Sequence, residues 1–151
     1  SAIGRLAAHP AVERIELEPP LRPVNDAVAQ HVGADQVRAG APPLDRAYTG
    51  RGVVVGIVDT GIDFRHLDFR DPVDSTRSRI LSLWDQADPT GPPPAGYTYG
   101  TEWTRAKIES ALRGELFIGQ GDSLGHGTHV SGTAAGNGAE ANSARTAFGG
   151  V

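Results

Sequence analysis

Asp59 closes the apolar run "GVVVGIVDTGID" (52–63), and His126 sits inside "GHGTHVSGTAAG" (125–136). A carboxylate delivered by a buried Val/Ile strand is costly unless it finds a partner. A histidine opening a helix of small residues would be one. In such a pair the acid accepts from the imidazole Nδ1–H, which fixes the tautomer and stabilises the imidazolium. The other ring nitrogen is then free to take a proton from a hydroxyl. The two stretches therefore predict contact between Asp59 and His126, two-thirds of an acid–histidine–nucleophile relay. Gly125 and Gly127 flank the histidine and are expected to leave room for a substrate backbone beside the ring.

Plainer readings compete at each residue. Alone, Asp59 is a strand-end carboxylate capping a turn through Thr60 and Gly61. "VDTG" also matches the aspartic-protease turn, where two carboxylates share a proton, but that all-β fold gives no reason for "GHGTHV". His126 alone is a helix-start histidine bonded to backbone. His129, three residues further on, would make a metal pair with His126. The Glu of a His-Glu-x-x-His helix is missing, however, and Asp59 is the only obvious third ligand. His129 is read as structural.

The elements around these residues follow from pattern. "IGRLAAHPAVERIELE" (3–18) reads as a short helix, a turn at His9-Pro10 and a strand with Val12, Ile15 and Leu17 as its apolar positions. "PPLRP" (19–23) is a rigid break, residues 25–39 have loose helical spacing with Asn25 or Asp26 as cap, and 40–52 connect. Val53–Val58 lacks polar alternation and so predicts a parallel strand buried on both faces. Residues 60–71 are turn-rich, and "SRILSLWDQ" (78–86) predicts a second strand. "ADPTGPPPAGYTYG" (87–100) cannot hold a ladder. "TEWTRAKIESALR" (101–113) has Trp103, Ile108 and Leu112 at helical spacing, capped by Thr101 or Thr104. Trp84 and Trp103 are expected in the core or packing the surrounding segment.

The two long motifs resemble the Asp and His motifs of the subtilisin-like serine proteases (subtilases, peptidase S8 family), in that family's chain order. The resemblance implies an α/β fold, here the N-terminal half of a doubly wound, mostly parallel sheet with helices on both faces. It implies Asp59 and His126 as catalytic triad members of a serine endopeptidase, acting on protein or peptide substrates and needing no cofactor for catalysis. Residues 1–24 resemble the tail of a propeptide, with processing expected near Asn25 to Gln30, and 25–151 resemble a partial catalytic domain. The two sites stand sixty-seven residues apart, wider than in small secreted members. The extra stretch, about 85–121, is similar to an insertion in some bacterial subtilases, including Csp-like members. "HLDF" (66–69) carries Leu67 where the family has Pro. Asp68 resembles a carboxylate of the family's structural calcium site, with Asp63 nearby and Gln30 as a second oxygen donor, although a turn-capping Asp68 is the plainer reading. Secretion is likewise implied by the family alone.

The family's Gly-Thr-Ser nucleophile motif is not present: none of the eight serines, at 1, 75, 78, 82, 110, 123, 131 and 143, has that context. Asn25, Asn137 and Asn142 do not match the oxyanion donor either. The nucleophile is thus expected beyond residue 151, on a C-terminal remainder of the catalytic domain that would be this chain's partner. The alternative is a catalytically inactive half, or pseudoprotease, acting as a partner or scaffold.

Composition bounds the rest. The 151 residues hold 38% hydrophobic and 21% charged side chains, enough for one core. Twenty Gly and eleven Pro favour turns over long helices. A net charge of −4 without runs of one sign argues against a nucleic-acid or anionic-membrane surface. The chain has no Cys, which removes disulfides, thiolate zinc sites and a Cys nucleophile. It has no apolar stretch near the roughly 20 residues of a membrane span, and no basic-then-apolar leader at the start. Met is absent even as initiator, so Ser1 is expected to be a processed or cut start. A sheet cut in mid-assembly would leave strand edges open, and association is expected.

Overall fold

The computed structural model describes residues 9–12 and 30–139. The helix and strand expected over 3–18, the propeptide-like tail and the processing region lie outside them, apart from residues 9–12. Those four form the expected turn, with Val12 N donating to His9 O at 3.0 Å. Of the helix expected over 25–39, the described C-terminal part contains α1 (Ala34–Ala39).

A two-stranded antiparallel sheet stands at the centre of the packed part. Strand β1 (Ser82–Asp85) pairs with β2 (Thr101–Thr104) in the register Leu83 opposite Trp103 and Trp84 opposite Glu102. The Pro- and Gly-rich segment 86–100 loops between them, as a stretch short of donors must. Thr101–Thr104 corrects the expected helix start. Thr101 and Trp103 are buried and alternate with outward Glu102 and Thr104, the period of a strand with one face on a core. Helix α2 (Arg105–Leu112) begins directly after, with Thr104 at its N-cap position.

The core cluster is Phe64, Trp103, Ile108 and Ile118, with Ile80, Leu83, Ala111 and Leu112 packed around it. Three of the four buried members come from the 85–121 segment, and Phe64 lies five residues after Asp59. That segment is therefore no appendage. It anchors the loop that carries the acid, and Arg65 Nη2 adds a bond to Ile118 O at 3.4 Å. Trp103 is core as expected. Trp84 packs the 85–121 segment, the other expected place, leaning on Tyr97 and Tyr99 with ring centroids 4.4 and 4.9 Å away, and its Nε1 donates to Tyr99 O.

The largest departure from expectation is at Val53–Val58. The run makes no ladder with any described residue, and Val54 and Val58 are 71% and 92% exposed. Apolar sequence makes a strand fit for burial, but burial needs neighbours on both edges and layers on both faces. None of the described residues supplies them. Mixed helices and one small antiparallel sheet are what the described chain contains, which agrees with α/β at its coarsest.

Helix α3 (His126–Ala135) falls where expected. Its composition makes it a poor helix alone, since Gly127 and Gly132 each cost up to about 1 kcal/mol relative to Ala. External ties hold its C-terminal end. Arg79 donates to Ala135 O at 2.7 Å and Asn137 N to Asp68 O at 3.1 Å, a cation meeting the negative end of the helix dipole.

Candidate active site

Asp59 and His126 meet. His126 Nδ1 lies 2.7 Å from Asp59 Oδ1. An ionised carboxylate only accepts, so Nδ1 carries the proton and donates it. The same Oδ1 accepts from Thr60 N at 2.7 Å, so the turn-capping bond of the plainer reading coexists with the imidazole contact. The Asp59 side chain is 15% exposed and that of His126 66%. The acid is thus tucked behind a ring whose Nε2 is engaged by no described residue.

Thr60 and Asp122 bring the acid's loop onto the helix. Helix α3 starts from Gly125, which has no side chain to cap it, and its first N–H groups would be orphaned. Gly127 N donates to Thr60 Oγ1 at 3.1 Å and Thr128 N to Asp122 Oδ2 at 2.8 Å. Asp122 Oδ1 also accepts from Gly125 N at 3.0 Å and from the Thr60 hydroxyl at 2.8 Å. Asp63 N donates to Thr128 Oγ1 at 2.9 Å, a further tie between loop and helix. The motif reading overlooked Asp122. Its sequence signal was available: an acid four residues ahead of a histidine, before a glycine-started helix, where negative charge is favourable.

The glycines do not share one role. A Cβ on Gly125 would meet open space among the described residues. One on Gly127 would stand 2.1 Å from Gly61 O and 3.2 Å from Asp59 Cβ. Gly127 is therefore required for contact between helix and acid loop, and the expectation of free space there is corrected. The loop leaves no slack on its other side, where a Cβ on Gly61 would fall 2.7 Å from Gly121 O.

Hydrogen bonding to the imidazole, and then to Thr60 N, lowers the Asp59 carboxyl below its usual range, and the Asp59 bond raises His126. Asp122 is lowered to about 2, first by the Thr128 backbone bond. The signs are opposite at the two ends of the pH scale. The acids add stability above about 3.8 that is lost as pH falls toward 2, whereas His126 adds stability below about 6.5 that is lost as pH climbs through its raised value. Protection factors of the Gly127 and Thr128 amides are accordingly expected to be highest between about pH 4 and 6.5. Hydrogen exchange giving a flat profile from pH 2 to 4 would contradict this.

His129 is exposed on α3. Asp68 lies in a short 3-10 helix (Leu67–Phe69), its backbone N–H donating to His66 Nδ1 at 3.3 Å. Its carbonyl is occupied by Arg79 and Asn137. Among the described residues no group of three His, Cys, Asp or Glu is placed to hold a metal ion.

An imidazole oriented by a carboxylate, with its far nitrogen open, is the acid–base geometry of a nucleophilic hydrolase. The subtilase family model matches residues 50–151, and this chain belongs to that family. It is 35% identical to subtilisin-like protease SBT2.1 of Arabidopsis thaliana, over 88% of this chain and 17% of that protein. It is 27% identical to minor extracellular protease Vpr of Bacillus subtilis, over 80% of this chain and 11% of that protein. The chain thus spans less than a fifth of either relative. Among the described residues no helix is long and apolar enough to cross a membrane.

Proposed function

We propose that this chain carries the acid and the base of an Asp–His–Ser triad in a serine endopeptidase. Family membership supports serine-protease-like chemistry, and the 2.7 Å contact of His126 with Asp59 is the observation that carries the assignment. Asp59 holds the imidazole with Nδ1 protonated. Nε2 removes the proton of a serine hydroxyl as its oxygen attacks the substrate carbonyl, then returns it to the leaving amine, giving an acyl-enzyme. Water, deprotonated by the same nitrogen, frees the acid and regenerates the serine.

The serine and the oxyanion donors belong to a C-terminal remainder of the catalytic domain, the chain's partner alongside its protein or peptide substrate. The exposed run Val53–Val58 supports this, because it is an uncovered apolar segment in need of neighbours. With them it would become the central strand of a doubly wound, mostly parallel sheet. In that architecture residues 25–151 are a partial catalytic domain and 1–24 a propeptide-like tail. Catalysis needs no cofactor, and no step runs through a metal at Asp68. Action outside the cell is supported by the name of the Bacillus relative.

A second reading, an inactive subtilase-like half serving as partner or scaffold, is equally compatible with eight serines that stand outside a Gly-Thr-Ser context. A fluorogenic peptide assay separates the two. The 151-residue chain alone is expected to give no turnover. Supplying the remainder of the parent protein is expected to give turnover blocked by a serine-directed inhibitor. Inhibitor-sensitive turnover by the chain alone would overturn the division of the triad, and none from the reassembled protein would favour the scaffold.

A further inference from the structure

The contact between acid and imidazole does not explain why a second acid stands beside them. Helix capping by Asp122 requires only Gly125 N and Thr128 N, at 3.0 and 2.8 Å. These two donors flank His126 in sequence, so the carboxylate closes a ring around the backbone that bears the imidazole. The bond from Thr60 Oγ1, at 2.8 Å, serves no cap. It reaches across to the residue next to Asp59, sixty-two positions away in the chain.

Thr60 is engaged on every polar side that faces this site. Its hydroxyl hydrogen goes to Asp122, its hydroxyl oxygen accepts from Gly127 N at 3.1 Å, and its own N–H donates to Asp59 Oδ1 at 2.7 Å. Two hydrogen-bonded paths therefore leave Asp122. One runs through Thr60 to the acid, and the other through the helix start to the imidazole. They end on the same 2.7 Å contact.

We propose that Asp122 and Thr60 form a positioning clamp that sets the separation and orientation of Asp59 relative to His126. The clamp rests on the assignment of those two residues to the triad, and it adds a reason for their geometry that the triad itself lacks. An exposed imidazole on a glycine-started helix has many orientations available. Ordering it in advance spares that cost at the moment of proton transfer. A hydroxyl suits position 60, because its single oxygen donates to one partner while accepting from another. Neither Asp122 nor Thr60 touches the reacting atoms, so both are positioning residues.

The decisive variant is Thr60→Val, which keeps size and β-branching but removes both hydroxyl bonds. Asp59 and Asp122 are the charged groups that act on the imidazole. Thr60→Val changes neither charge, whereas Asp122→Asn or Asp122→Ala would lower the His126 titration midpoint simply by removing a negative charge. The measurement is the titration and tautomer of the His126 imidazole by NMR in the full 151-residue chain, with hydrogen exchange at Thr128 N read in parallel. Thr60→Val is expected to lower the His126 midpoint toward that of free histidine and mix its tautomers, while Thr128 N stays protected by Asp122. Thr60→Ser is expected to restore both.

An unchanged midpoint and tautomer in Thr60→Val would overturn the clamp and leave Asp122 as a helix cap only. A loss of Thr128 protection together with the midpoint in Thr60→Val, not recovered by Thr60→Ser, would also overturn it, as general loosening of the loop. These readouts need no turnover. Failure of the peptidase reading would show in the activity assay, and failure of the clamp would show here.

Discussion

Asp59→Asn, made in the parent protein, is expected to lower kcat by about ten-thousand-fold while KM changes little, a loss of the size seen when a triad acid is neutralised. Asn can offer its amide oxygen to Nδ1–H, but it can equally present its NH2 and select the opposite tautomer, which puts a hydrogen on Nε2 where a lone pair is needed. It also removes the negative charge that the imidazolium requires. His126→Ala is expected to cost more, about a million-fold, a magnitude already known for other triads of this family. Peptide hydrolysis within tenfold of wild type for either variant would show that the contact is not catalytic. The gap between the two variants is itself informative, since orienting a base is worth less than being one.

The largest structural effect is expected from Gly127→Ala. Its new methyl would stand 2.1 Å from Gly61 O, a backbone atom with no rotamer to change. Gly61 has little free space of its own, because Gly121 O and the Gln120 amide crowd the position its Cβ would take. Helix α3 must then lift from the loop, stretching the Gly127–Thr60 bond and opening the Asp59–His126 contact. Overpacking of this kind costs about 3 kcal/mol or more when the obstructing atom is fixed. Gly132→Ala is the control. It lies in the same helix, nothing stands within 4 Å of its methyl, and removing a mid-helix glycine should stabilise by roughly 0.5–1 kcal/mol. Urea denaturation followed by fluorescence of Trp84 and Trp103 reads both. A neutral Gly127→Ala would mean that loop and helix are not in contact in solution.

Much of this site was legible because its residues announce themselves locally. Asp59 ends an apolar run and His126 begins a helix of small residues, and those two facts sufficed to pair them. The helix His126–Ala135 and the loop 86–100 were readable for the same reason: glycine, proline and side-chain size act on the nearest turn. What escaped depends on residues far away. Thr101–Thr104 looks like the start of a helix until Ser82–Asp85 lies alongside and its donors are taken by a neighbour. Val53–Val58 looks buried because it is apolar, but burial is a property of what covers a strand and not of the strand. Gly127 was expected to give space to a substrate and instead gives it to Gly61. Asp122 announces its helix cap locally, four residues ahead of His126, but its bond to Thr60 closes over sixty-two residues, a distance at which composition and periodicity carry no signal.

The shared proton of the acid and the imidazole offers the most direct test. In the 151-residue chain, long-range 1H–15N NMR is expected to find neutral His126 with its hydrogen on Nδ1, titrating above the ordinary histidine value, and Asp59→Asn should abolish both features. An imidazole that carries its hydrogen on Nε2, titrates like a free histidine and ignores Asp59→Asn would contradict the pairing, and with it the assignment of either residue to a catalytic triad.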